Sequence, residues 1–107
     1  YNCKNLTTAV CGPNVDEMYY TYQYCTNLTT AVCGPNVTNM QQTYRNCTNL
    51  TGIVKINSSK VSSATYIFTN TTKNITVQVP SGSTTYTTIN NLTTSNGKPS
   101  NVTLTTY

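Results

Sequence analysis

Eleven consecutive residues of this chain occur twice. Residues 5–15 read NLTTAVCGPNV, residues 27–37 read the same, and the displacement is 22. A third copy opens at Cys47 with CTNLTG, again 22 residues after Cys25. Composition does not produce an identity of that length. A unit of this size cannot bury an apolar face alone, so a fixed period requires successive units to stack on one another.

The copies extend beyond the identity. Val15, Met18, Tyr22, Cys25 and Leu28 stand at offsets 0, 3, 7, 10 and 13, and the same offsets from Val37 give Met40, Tyr44, Cys47 and Leu50. From Val61, after a two-residue insertion in the preceding loop, they give Ala64, Phe68 and Thr71. Offsets 0, 3, 7 and 10 predict one face of a short helical turn, which Pro13 and Pro35 precede by two residues. Period-two runs over 6–11, 28–33, 52–56 and 75–79 predict short strands, with Ala9, Cys11, Ala31 and Cys33 pointing inward and Thr8, Val10, Thr30 and Val32 outward. The predicted core is Leu6, Met18, Tyr22, Cys25, Leu28, Met40, Tyr44, Cys47, Leu50 and Phe68, with Tyr22, Tyr44 and Phe68 in one column.

The run VTNMQQTYRNCTNL, residues 37–50, resembles the BspA-like class of leucine-rich repeats, whose pattern is V-x-x-M/I-x-x-x-F-x-x-C-x-x-L followed by a strand and a Pro turn; Tyr44 takes the aromatic slot. The resemblance covers about residues 1–80. Ala9 and Cys11 depart from it where the family prefers Ile or Leu, and Thr71 stands where a Cys is expected. It implies an α/β repeat: a right-handed leucine-rich-repeat solenoid with short parallel strands and short helical turns. Such solenoids occur on bacterial surface proteins, some viral particles and some protist surface proteins, as adhesins or ligand-binding scaffolds. Residues 73–83 are expected to form the last rung, and 81–107 a β-rich C-terminal cap or the start of another module, with 86–89 and 101–107 strand-like around a turn at 95–100. A chain that opens at Tyr1 is expected to be the C-terminal piece of a longer solenoid.

Charge is sparse. The six cations, at 4, 45, 55, 60, 73 and 98, are dispersed, and nucleic-acid binding needs a clustered basic stripe. No run of 18 apolar residues predicts a membrane span. The five cysteines, Cys3, Cys11, Cys25, Cys33 and Cys47, contain no C-x-x-C pair and histidine is absent, so no metal or cofactor is expected. They are read as small buried fillers, with a rung-to-rung disulfide as the alternative. Ten N-x-S/T sequons, at Asn5, Asn27, Asn36, Asn46, Asn49, Asn57, Asn70, Asn74, Asn91 and Asn101, mark either dense glycosylation or an Asn- and Thr-rich repeat copying itself.

In a solenoid, equivalent outward residues form columns. One is expected to be Val10, Val32, Val54 and Gln78, beside Thr8, Thr30, Gly52 and Thr76. This strand face is the candidate partner surface, for a protein or a glycan, because a contiguous apolar ladder marks contact sites; β-propensity alone is the alternative. Tyr19, Tyr20, Tyr24 and Tyr66 fall off the core-facing side, as contact residues or as ordinary partly buried ones. Catalysis is not expected, since the two acids, Asp16 and Glu17, are adjacent at the predicted start of a helical turn and a cysteine nucleophile would lack its base. The expected protein is a non-enzymatic adhesion module, extracellular, on a cell surface or on a virion. The alternative is a structural component of a virion or an extracellular filament, self-associating or stacking end to end.

Overall fold

A computed structural model describes residues 3–107. The chain winds as a parallel-strand solenoid. Its strands are β1 (Thr8–Val10), β2 (Thr30–Cys33), β3 (Gly52–Ile56), β4 (Ile75–Val79) and β5 (Val102–Thr106), with one helix, α1 (Thr84–Asn90), between β4 and β5. All neighbours pair in parallel and the order in the sheet is the order in the chain. Each strand opens one coil, which turns a corner at a Gly-Pro-Asn in the first two coils and returns along a second arm.

That return arm is not helical. Residues 19–24, 41–46 and 65–70 form successive turns in which alternate amides do different work. In the first coil Thr21, Gln23 and Cys25 donate to the carbonyls of Met18, Tyr20 and Tyr22, closing turns within the coil, whereas Tyr20, Tyr22 and Tyr24 donate to Gln41, Thr43 and Arg45 of the next. The second coil repeats the pattern, with Gln42, Tyr44 and Asn46 donating to Thr65, Ile67 and Thr69. An α-helix would send all of these amides along its own axis. Here Tyr20, Tyr24, Gln42, Asn46, Tyr66 and Asn70 adopt left-handed backbone (φ 57–63°), which breaks the helical path every fourth residue. The 3- and 4-residue spacing of apolar positions is common to a helix and to this arm, which is why the period predicted the wrong element. Asp16 and Glu17 therefore meet no helix end; Glu17 bridges Asn39 in extended pairing, and the Asp16 carbonyl accepts from the Thr38 amide.

Between sheet and return arm lies one continuous core. Met18, Cys25, Leu28, Met40, Tyr44, Cys47, Leu50 and Phe68 are fully buried there. Leu6 and Tyr22 are half-buried, because the first coil has a neighbour on only one side among the described residues. The three rings form the expected column: Tyr22 stacks on Tyr44 at 5.8 Å and Tyr44 on Phe68 at 5.5 Å, with ring planes 10° and 13° apart. Inward-pointing strand residues meet the rings. Tyr44 Oη lies 2.8 Å from Cys33 Sγ and Tyr22 Oη 3.5 Å from Cys11 Sγ. In the third coil the ring is Phe68 and the residue matching Cys33 across the sheet is Ile56. The thiol is lost where the hydroxyl is lost, as a buried polar group requires a partner. Thr71, in the cysteine slot, returns its hydroxyl to the Phe68 carbonyl at 2.8 Å.

Two glycines set the geometry between coils. A Cβ on Gly34 would stand 2.5 Å from the Gly12 carbonyl oxygen, so the stacked Gly-Pro-Asn corners approach only because the upper one lacks a side chain. Gly52, at φ +74°, absorbs one extra residue between Leu50 and the strand. Ala9 pairs Ala31, 22 residues on, but Ala31 pairs Val54, 23 on. A one-residue slip moves every side chain of a strand to the other face.

The segment 81–107 makes one more turn of the same stack. β4 is not the last rung, since β5 pairs with it along its whole length. The strand expected at residues 86–89 is instead part of α1. Ser83 caps it by accepting from the Tyr86 amide at 3.1 Å, and Thr85 and Thr88 hydroxyls donate to the Ser58 and Val61 carbonyls of the coil below.

Truncating a central ring should cost more than truncating an outer one. Tyr44→Ala is expected to destabilise by about 3–5 kcal/mol and Tyr22→Ala by clearly less, in urea unfolding followed by circular dichroism. Tyr44→Phe, which leaves the Cys33 thiol without its hydroxyl, should cost about 1 kcal/mol. Equal losses at 22 and 44 would contradict the described column.

Candidate binding face

The outward residues of the sheet form two ranks fixed by the strand register. One runs Val10, Val32, Lys55, Gln78, Thr105. The other runs Thr8, Thr30, Ile53, Thr76, Thr103, with Ile53 one residue before the Ala31–Val54 pair and so opposite Thr30. Val10 is 69% exposed, Ile53 56% and Val32 37%. These three make a small apolar patch on the first three strands, with Thr8 and Thr30 beside it and their hydroxyls 3.3 Å apart.

Val54 is not part of this face. It was expected outward, under Val32, but it is fully buried and Lys55 stands in that column. The residue added at Gly52 shifts β3 by one, so Ile53 replaces Gly52 in the threonine rank. The signal was present in the chain: Val54 and Ile56 flank Lys55 at period two, and an unpaired cation does not point into an apolar core. Beyond Val32 the column turns polar. Lys55 Nζ sits 4.7 Å from the centre of the Tyr107 ring, whose hydroxyl donates to the Ile56 carbonyl, and Gln78 and Thr105 follow.

The off-core tyrosines lie on the return arm, across the core from the sheet. Tyr19, Tyr24 and Tyr66 are exposed, and Tyr20 is half-buried with its hydroxyl accepting from Gln42 Nε2 at 3.0 Å. The Arg45 guanidinium lies 5.6 Å from the Tyr66 ring centre.

Six of the ten sequon asparagines have structural work for the amide nitrogen that a glycan would occupy. Asn27, Asn36, Asn49, Asn57 and Asn101 donate it to the Lys4, Pro13, Thr26, Cys33 and Lys73 carbonyls of a neighbouring coil, and Asn70 donates to the Asn46 side chain. These asparagines are corner ladders of the stack.

None of the five cysteines is in a disulfide, and their settings differ widely. A hydrogen bond from Cys33 draws the half-buried Cys11 thiol down to about 6; burial opposes this, and the Tyr22 hydroxyl adds to it. Cys33 is pushed well up by the same contact with Cys11 and by burial, and burial pushes Cys47 up to about 12. Among the described residues no three His, Cys, Asp or Glu side chains cluster as metal ligands, and no helix is long and apolar enough to cross a membrane. No protein-family model, curated protein or solved structure matches the chain.

Thiolate, not thiol, is the alkylated species. Cys11 should therefore react with iodoacetamide in the folded chain, at a rate rising with pH to half its plateau near pH 6, while Cys33 and Cys47 react only on unfolding. Peptide mapping after timed labelling reads this directly; a Cys11 rate still climbing above pH 8 would refute the Cys33–Cys11 bond, because an ordinary thiol ionises near about 8.5.

Proposed function

We propose that this chain is a non-enzymatic binding module of the BspA-like leucine-rich-repeat kind, acting outside the cell, at a cell surface or on a virion, and taking a protein or glycan partner on the outer face of its sheet. The observation that carries the reading is the exposure of Val10, Val32 and Ile53 on the outer face of the first three strands, with Thr8, Thr30 and Thr76 presenting hydroxyls beside them. Exposed apolar side chains grouped on one surface favour a partner over water, and the threonine rank gives orientation through hydrogen bonds. Repetition supports the same reading, because identical side chains at a fixed strand spacing suit an extended partner more than a small molecule. The absence of histidine and the position of both acids on one exposed corner leave no general acid–base pair near this face.

A second reading, a structural element of a virion or filament, is supported by a different observation. The sheet order leaves the outer edges of β1 and β5 without a paired strand among the described residues, and unpaired parallel edges are templates for end-to-end addition.

Val32→Asp and Ile53→Asp should each lower binding to a printed glycan array or to immobilised host surface proteins by more than about ten-fold, the ratio that about 1.4 kcal/mol produces, with unchanged circular dichroism. Val54→Asp should instead unfold the chain. Undiminished binding in both surface variants would remove the sheet face from consideration. Concentration-dependent oligomers in sedimentation, blocked by a Thr8→Pro change at the β1 edge, would favour the structural element.

A further inference from the structure

The first two coils bring Cys11 close to two further sulfur residues, Cys33 on the next strand and Met18 on the return arm. Cys11 follows Val10 and Cys33 follows Val32 in the paired register, which sets the two thiols on adjacent strands, close enough for each to shift the other's ionisation. From the return arm, Met18 places its sulfur 3.4 Å from Cys11 Sγ. Cys33 and Met18 are fully buried, while Cys11 is half-buried and gives the group access to solvent. No carboxylate or imidazole lies in the set, since both acids of the chain are exposed at the neighbouring corner and histidine is absent.

We propose that Cys11, Cys33 and Met18 form a binding site for a soft monovalent metal ion, Cu(I). Thiolate and thioether donors without oxygen or nitrogen select Cu(I) over the hard divalent cations, and Zn(II) draws its ligands from Cys, His and carboxylates, of which this cluster offers only two. The one pair in direct contact suits such an ion: a metal about 2.3 Å from each of three sulfurs holds them about 4.0 Å apart, so the Cys11–Met18 contact has to open by only about half an ångström. Methionine, with three rotatable bonds, makes that adjustment without moving the backbone.

Two thiolates and one Cu(I) leave one net negative charge on the cluster, which neighbouring hydroxyls are placed to stabilise. Each thiolate then has a hydroxyl placed to donate to it: Tyr22 Oη at 3.5 Å from Cys11 Sγ and Tyr44 Oη at 2.8 Å from Cys33 Sγ. Hydrogen bonds of this kind to ligand atoms orient and stabilise a metal site. The third coil, with Ile56 and Phe68, lacks both the sulfur and the hydroxyl, so the site belongs to the first two coils alone.

The test is titration of the fully reduced chain with Cu(I) under anaerobic conditions against a chromophoric Cu(I) chelator, with X-ray absorption of the loaded sample. The expected result is one Cu(I) per chain bound by three sulfurs. Cys11→Ser should abolish it, and Cys47→Ala should leave it unchanged. Met18→Leu, which conserves volume and fold, should retain the ion with two sulfurs instead of three. A chain that takes no Cu(I) overturns the proposal, as does binding that survives Cys11→Ser, binding lost with Cys47→Ala, or a sulfur count unaffected by Met18→Leu. Isolation of the chain with a Cys11–Cys33 disulfide that, once reduced, takes up no Cu(I) also overturns it.

Discussion

Half of the amides in the return arm have no partner within their own coil. Tyr20, Tyr22 and Tyr24 donate to Gln41, Thr43 and Arg45, and the next coil hands its amides on in the same way to Thr65, Ile67 and Thr69. An unpaired buried amide costs about 1–3 kcal/mol, so a coil taken from the stack loses its fold as well as its apolar contacts. The same bonds hold Tyr20, Tyr24, Gln42 and Asn46 in left-handed backbone, a conformation that costs about 1 kcal/mol or more at each position when nothing holds it. Sheet on one side and this second ladder on the other make the fold a stack of interdependent layers, with its one described helix confined to the last coil.

Within that frame the side chains are chosen coil by coil. The ring column is continuous through Tyr22, Tyr44 and Phe68, and each inward strand residue matches its ring: thiol with hydroxyl, isoleucine with phenylalanine. Asparagines at the corners carry hydrogen bonds from coil to coil, and threonines do the same along the edges, as Thr29 to the Thr7 carbonyl and Thr51 to the Asn74 carbonyl. The scarcity of charge follows from this design. A surface made of stacked equivalent positions would place like charges about 4.8 Å apart in a column, whereas columns of Asn and Thr satisfy one another.

The outer sheet face departs from that polar rule only at Val10, Val32 and Ile53, and the departure is confined to the first three strands. Later strands carry Lys55, Gln78 and Thr105 in the corresponding column, with the cation held against the Tyr107 ring. The apolar patch and the sulfur cluster thus lie on opposite sides of the same two strands, one facing out and the other in. Any partner that loads on Val10 and Val32 presses on the strands that carry Cys11 and Cys33.

The amino-acid sequence by itself determined the period of the stack, the parallel strands, the buried slots at Met18, Cys25, Leu28 and their repeats, and the stacked rings, because each of these depends only on which residues recur at a fixed interval. The outward direction of Thr8, Val10, Thr30 and Val32 was legible for the same reason. Tertiary structure decided the rest. Helix and stacked turns share one spacing of apolar residues, and only neighbouring coils, by accepting alternate amides, select the turns. Gly52 adds a residue whose effect on β3 appears only when the strand pairs, though Lys55 between Val54 and Ile56 was a readable sign of it. α1 is a threonine-rich helix that the coil below holds through Thr85 and Thr88. The meeting of Cys11, Cys33 and Met18 is likewise a property of the stack: residues 7 and 22 apart become neighbours because one coil lies directly on the next.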